Sequence, residues 1–474
     1  MAVHMYFKAK WQALLQADDD LDGAKEVGKR KHRSQHLIGG FPMNFSWCLV
    51  FHFIVSSCSS LTYVDGFSLS RKNSNNKYND DNNVKMLSKV LRIIYNQNGT
   101  LGVLQRSKGM SDYDATTLVA AAMEASNGDK GMASGILNAS IGSCCSCDDD
   151  NDDASRKRES ARKAIDLLKA YDKLDTIEPD LVALSLAYVA TSHGGLEDKA
   201  EKFLCRAQQL YNVGDDDDDG KFKFKKNEPV DYSELEKLHN IQVLDDAEEF
   251  IALSKPSGMV CYHPSTTTPK QRQKDRSLED ILLENGVQLS TLNQEGRGFV
   301  HRIDRGTSGC MILAKTNRMH AILMSQFFLR NVKKSYQALV VSPDPKTKKL
   351  PKKGIIEVEI DGRPAKSYYN VEKQVGPFIT RIKVNTEQGR RHQVRIHCSQ
   401  GLHAPILLDP LYGGGRQTII SKLKNLPQER LDELLSAKRF CLHADTLSIA
   451  DYGINIQAPL PEWWKQLEEE LMQQ

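Results

Sequence analysis

The stretch "HRIDRGTSG", His301–Gly309, places one carboxylate, Asp304, between Arg302 and Arg305 and just ahead of the apolar run "CMILA". A surface ion pair of this kind would contribute little. The alternative is a carboxylate held as an anion in a basic cleft. Neighbouring positive charge favours the carboxylate over its acid. Asp304 is then a poor general acid, and two roles remain, nucleophile or electrostatic anchor.

Three further stretches hold residues suited to the same chemistry. In "EQGRRHQVRIHC", Glu387–Cys398, a strand reading sets Gln393, Arg395 and His397 on one face and Val394, Ile396 and Cys398 toward a core. A guanidinium fixed on such an element could lock a carboxylate in position. In "RNVKKSYQALV", Arg330–Val340, basic residues including Lys334 lead into Tyr336. An aromatic beside positive charge can stack a nucleobase, although core packing is the commoner use. "LSKPSGMVCYHP", Leu253–Pro264, reads as strand, turn, strand around Lys255–Pro256. No metal site is expected. His392 and His397 would point to opposite faces of a strand, and the ten cysteines lack paired zinc-ligand spacing. "GTSG" is not a nucleophile elbow, and no glycine-rich loop ends in a phosphate-binding Lys-Ser/Thr.

The elements that must position these residues fall in the second half of the chain. After residue 235, short β-rich runs alternate with helices at "SLEDILLENG", "MHAILMSQFFLRN" and "QERLDELLSA". This predicts an α+β domain, 235–474, on a mostly antiparallel or mixed sheet. Residues 84–212 predict an α-helical domain, with Asp114 and Asp180 as caps and turns at Gly128 and Gly194–Gly195. The two halves of that domain are similar to pentatricopeptide-type helical repeats. A charged linker is expected at 213–234, and "SCCSCDDDNDDASRKRES" reads as a charged loop. Residues 1–83 read as disordered or targeting-like, with the apolar run Phe45–Val55 after Met43 too short to span a bilayer. That pattern is compatible with a plastid or mitochondrial enzyme as well as a cytoplasmic or nuclear one.

Charge is concentrated where the candidate residues lie. The whole chain of 474 residues carries a net charge of +3, but residues 291–440 hold 27 Lys+Arg against 12 Asp+Glu, a net of +15. Such a block points to a polyanion partner, nucleic acid above all.

"SKPSGMV", "HRIDRGTSG…LAKT", "KKSYQALV", "GRPAKSYY", "GRRHQVRIH" and "HAPILLDPLYGG" follow in the order and approximate spacing of the RluA-type RNA pseudouridine synthases. The resemblance covers about residues 235–465, and its six motifs are specific. No segment resembling the S4-type domain of many members is evident. Ile303 stands where the family usually has Leu, and Leu408 stands where Gly-Asp is usual before "PLYG", a slight change to that loop.

The resemblance implies a pseudouridine synthase catalytic domain that isomerises uridine in RNA, rRNA or tRNA, by base flipping. It implies that Asp304 is the catalytic aspartate, Arg395 its pairing arginine and Tyr336 the residue that stacks on the base. Arg302 would fill the gap left by the flipped base, which offsets a few kcal/mol of unstacking. Arg302, Arg305, Lys334, Arg391, His392 and Gln393 would bind substrate. No cofactor is implied, no membrane is expected for the mature protein, and a monomer is expected. A non-catalytic RNA-binding protein of the same fold is the main alternative, yet a binder has no use for a carboxylate facing phosphates. A third reading makes the helical region the specificity module.

Overall fold

The computed structural model describes residues 113–145, 154–211, 232–293, 295–342, 350–413 and 425–473, with isolated positions at 84–103, 230, 420, 421 and 423. The signal-like run after Met43, residues 146–153 of the charged loop and residues 213–229 of the expected linker lie outside the described residues.

Among the described residues, the helical region holds α1 Ala115–Ser126, α2 Lys130–Gly142, α3 Ala154–Tyr171, α4 Leu181–His193 and α5 Glu197–Tyr211. Their starts follow from capping chemistry. Asp114 accepts from the Thr117 amide at 3.0 Å, and Asp180 from the Ala183 amide at 2.9 Å. Asp180 also accepts from Ser134 and Asn138 at 3.1 Å, so one cap joins α2 to α4. Helix α4 is buried at almost every position from Leu181 to Thr191. A helix apolar all round must be enclosed on every side.

What encloses α4 is partly the C-terminal half. Ser185 donates to the Met324 sulfur at 3.8 Å, and Tyr188 hydrogen-bonds Arg318. Met324 and Arg318 lie on α9, Asn317–Leu329. Leu184, Leu186, Leu323, Ile312 and Leu447 share one continuous core. The helical region is therefore packed into the C-terminal half.

After α6, Ser233–His239, a nine-stranded mixed sheet begins. Its strands are β1 Gln242–Asp246, β2 Phe250–Lys255, β3 Ser308–Ala314, β4 Val332–Val341, β5 Lys353–Glu357, β6 Lys366–Gln374, β7 Ile379–Thr386, β8 Leu442–Ile449 and β9 Ile454–Gln457. The order is β1-β2-β3-β8-β4-β7-β6-β5, with β9 beside β8. Helices α7 Pro269–Lys274 and α8 Leu278–Glu284 lie between β2 and β3, while α11 Gln428–Ser436 and α12 Glu462–Met472 cover the β4–β7 half.

Every pair is antiparallel except β3–β8, which joins the two halves through only Ser308↔His443 and Gly309↔Ala444. The glycine at 309 is obligatory there. Its φ is +113°, and a Cβ would fall 2.2 Å from the Ala444 carbonyl. The loop carrying Asp304 thus runs directly into the joint of the sheet.

Three expectations are corrected. Residues 154–160 of the expected charged loop are the first two turns of α3. Residues 393–396 are not a strand: α10 spans Gln393–Ile396 and continues as a π-turn over His397–Gly401. His392, with φ +57°, lies in the turn that starts that helix. The segment after Lys255 also forms no second strand, and the Val260 and Cys261 carbonyls instead accept from the Leu278 and Glu279 amides.

Candidate active site

The Asp304 loop is held from three sides. The Arg305 carbonyl accepts from the Gly258 amide at 2.7 Å and from Lys255 Nζ at 3.3 Å. Lys255 is fully buried at the end of β2 and also donates to the Pro256 and Met259 carbonyls, each at 2.8 Å. Burial pushes its ammonium down to about 8. Gly306 admits the Phe440 ring, since a Cβ there would lie 2.3 Å from Cε1. At the loop's start, His301 Nε2 accepts from the Ile312 amide at 3.1 Å, and its ring stacks on Phe327 at 4.8 Å.

Asp304, with a quarter of its side chain exposed, lines a cavity of about 920 Å³ with Arg302, Arg305, Arg391, His392, Arg395, Lys438 and Phe440. That size suits a nucleotide-sized guest. Arg395 Nη1 donates to Asp304 Oδ2 at 3.0 Å, and His392 Nε2 lies 3.7 Å from Oδ1. Behind Arg395 is Asp409, fully buried, which accepts from Nε at 2.7 Å and Nη2 at 2.9 Å. Asp409 in turn accepts from the Leu411 and Tyr412 amides at 2.9 and 3.1 Å. The guanidinium also lies 4.4 Å from the Phe440 ring centre and 5.0 Å from that of Tyr412. Burial opposes its charge, but the carboxylates of Asp409 and then Asp304 outweigh that and hold it above the ordinary arginine value.

The helix at 393–396 serves Arg395 as the expected strand would have. Helix α10 aims Arg395 at the cleft, and neighbouring side chains turn elsewhere. Gln393 is buried; it donates to the Lys366 carbonyl at 2.9 Å and Ser367 at 3.1 Å and accepts from the Arg390 amide at 2.9 Å. It braces the loop and does not face the cavity. His397 is also buried, its Nε2 3.2 Å from the Val358 carbonyl. His392 Nδ1 lies 3.0 Å from the Tyr412 hydroxyl. Burial lowers the His392 imidazolium's affinity for its proton, against the pull of Asp304.

Tyr336 and Lys334 stand two apart on β4 and so share one face of it. Burial first, and Asp304 second, push the Tyr336 hydroxyl up to about 12. Arg302 and Arg391 are exposed at the cavity wall. Arg305 is turned away from Asp304 and makes a bidentate pair with Asp275 at 2.8 and 2.6 Å. The arginine facing Asp304 is Arg395, remote in sequence, rather than adjacent Arg305. Asp409 is the residue that sequence reasoning missed. Its signal was available: a carboxylate inside "APILLDPLY" has to find a partner if buried.

A family model described as RNA pseudouridylate synthase matches residues 249–400. An uncharacterized RNA pseudouridine synthase of Zymomonas mobilis is 32% identical over 232 residues, covering 46% of this chain and 92% of that protein. The chain belongs to the RNA pseudouridine synthase family. The ribosomal large subunit pseudouridine synthase D of Xanthomonas campestris pv. campestris is 31% identical over 234 residues, 47% of this chain. The match spans 66% of that relative's length. Among solved structures, the human RNA pseudouridylate synthase domain containing 4 aligns with 49% of this chain and 93% of its own, at 21% identity and a TM-score of 0.37. The matched region takes in Asp304, Tyr336 and Arg395, and ends before Asp409.

Proposed function

We propose that this protein isomerises uridine in RNA to pseudouridine, with Asp304 as the catalytic carboxylate. The observation that carries the reading is the chain Asp409–Arg395–Asp304 at the wall of a nucleotide-sized cavity. A buried guanidinium, itself fixed by a buried carboxylate, holds one partly exposed carboxylate oxygen in place. Such preorganisation suits attack on, or proton removal from, a sugar.

In the reaction the N1–C1′ bond of uridine breaks, the uracil turns, and C5 bonds to C1′. The C5 proton leaves and N1 gains one. Bond breaking and making are redox-neutral, so neither a metal nor an organic cofactor is required. Asp304 acts at the ribose, Arg395 positions it, and Tyr336 stacks on the uracil from β4. Arg302, exposed at the cavity wall, fills the space of the flipped base. Arg391 and His392 contact the bound nucleotide. Arg305 acts as a positioning residue through Asp275, and Gln393 through the Lys366 carbonyl and the Ser367 hydroxyl. The protein works as a monomer on rRNA or tRNA, and the name of the Xanthomonas relative makes ribosomal large-subunit RNA the first substrate to test.

The test is tritium release from RNA labelled at uridine C5, with total RNA, rRNA and tRNA as separate substrates. Release is expected with at least one. Intact RNA binding without release from any of them would favour a non-catalytic RNA-binding protein.

A further inference from the structure

Beyond the Asp304 cavity, the structure gathers a second set of cations that no carboxylate among the described residues neutralises. Arg330 caps α9 with a left-handed backbone, φ +64°. Its Nε is buried and has no hydrogen-bond partner among the described residues. The same holds for Arg390 Nε, from the loop before α10. Lys334 Nζ sits 5.4 Å from the Phe327 ring centre, and only 2.9 Å from where a Cβ at Gly389 would lie. The ammonium thus lies close to the backbone at Gly389, next to Arg390. Lys334 feels Arg330, Arg330 feels Arg390, and Arg390 feels exposed Arg363, always as repulsion. Among the described residues no carboxylate pairs with Arg330, Lys334 or Arg390. Tyr95, from the helical region, also lies within electrostatic range of Arg390.

Like charges are drawn together and partly stripped of water only where something else compensates them. Rigid guanidinium forks beside a lysine suit the oxygens of a phosphate. We infer that Arg330, Lys334 and Arg390 form a pocket for one backbone phosphate of the RNA substrate, beside the nucleotide held at Asp304. The inference rests on the proposed reaction on RNA. The source of the phosphate follows from place: Lys334 and Tyr336 are on one face of β4, about 7 Å apart along the strand. A phosphate held at Lys334 would therefore belong to the strand whose base lies on Tyr336. Burial, and then Arg330, push the Lys334 ammonium down to about 8, and a bound phosphate would raise it again.

The test uses the full chain and a short uridine-containing RNA in which single phosphates near the target are replaced by neutral methylphosphonates. One replacement should raise the wild-type KM roughly tenfold with kcat little changed. Arg330→Gln and Arg390→Gln should show that increase with natural RNA and no further increase with that one replacement. Arg390→Lys should recover part of the loss. Melting temperatures of the glutamine variants should be equal to or above wild type, since an unpaired charge is removed. A lowered melting temperature with unchanged KM would make these arginines structural and overturn the inference. So would penalties that simply add to those of every methylphosphonate. Stabilisation by inorganic phosphate alone, with no sensitivity to any replaced RNA phosphate, would overturn the assignment to RNA. Absence of tritium release by wild type on any RNA would instead count against the proposed reaction, which separates the two failures.

Discussion

Arg395 and Asp409 form a buried bidentate pair, Nε to Oδ2 at 2.7 Å and Nη2 to Oδ1 at 2.9 Å, that leaves Nη1 directed at Asp304. The pair consumes two of the three guanidinium nitrogens. Rotation of Arg395 about its long axis would break both bonds, so the third nitrogen has one place to point. Asp409 therefore fixes Asp304 through Arg395 without facing substrate itself.

Asp409→Ala leaves the Arg395 charge buried beside a single, partly exposed carboxylate. Removing one partner of such a pair typically costs about 3–5 kcal/mol. Urea unfolding should show a loss of about 3 kcal/mol or more. Asp409→Asn keeps one acceptor and should lose less stability, yet still lower kcat at least tenfold with RNA affinity held. An unchanged unfolding midpoint for Asp409→Ala would contradict the geometry.

Leu408 has φ +67° and is buried in the core of the β4–β7 half. A left-handed backbone costs a non-glycine residue roughly 1–2 kcal/mol. Truncating a buried leucine costs roughly 2–5 kcal/mol. The second effect is larger, so Leu408→Gly should destabilise by about 1–3 kcal/mol although it relieves the backbone. A gain in stability by thermal or urea unfolding would show that the side chain packs poorly.

His301 titrates at about 3 in the folded chain against an ordinary 6.5, because it is buried and, secondarily, lies near Lys334. Between those values the unfolded chain binds the extra proton. Stability contributed by His301 is therefore complete above about pH 6.5 and falls as pH drops toward 3, by at most roughly 5 kcal/mol. His320 and His443 are also shifted down by burial and add to the same slope. His301→Phe should keep the stack on Phe327 and lose the bond from the Ile312 amide. Unfolding free energies measured from pH 8 to pH 4 should be lower by about 1–2 kcal/mol at pH 8 and flatter below 6.5. An unchanged slope would mean that His301 is protonated in the folded state.

What was legible in the sequence was local. The caps at Asp114 and Asp180 are short-range chemistry, and the alternation of β7 from Arg381 to Asn385 follows from one buried face. The motif with Asp304 was legible because few uses other than a site explain a carboxylate between arginines before a buried strand. Residues 392–398 misled because "HQVRIHC" alternates polar and apolar like a strand, while the left-handed turn at His392 that starts a helix leaves no such trace. Arg305 misled for a related reason, since proximity in sequence did not decide its partner, Asp275 did. Asp409 and the docking of α4 on α9 depend on contacts between distant segments, which no local pattern encodes.

The most direct test compares wild type with Asp304→Asn, a near-isosteric change that removes the charge. Tritium release from C5-labelled RNA and RNA affinity would be measured on the same preparations. The account predicts that wild type releases tritium, that Asp304→Asn releases none above background, and that both bind RNA within about threefold, since one exposed charge contributes little to polyanion affinity. Release by Asp304→Asn at the wild-type rate would contradict the central claim.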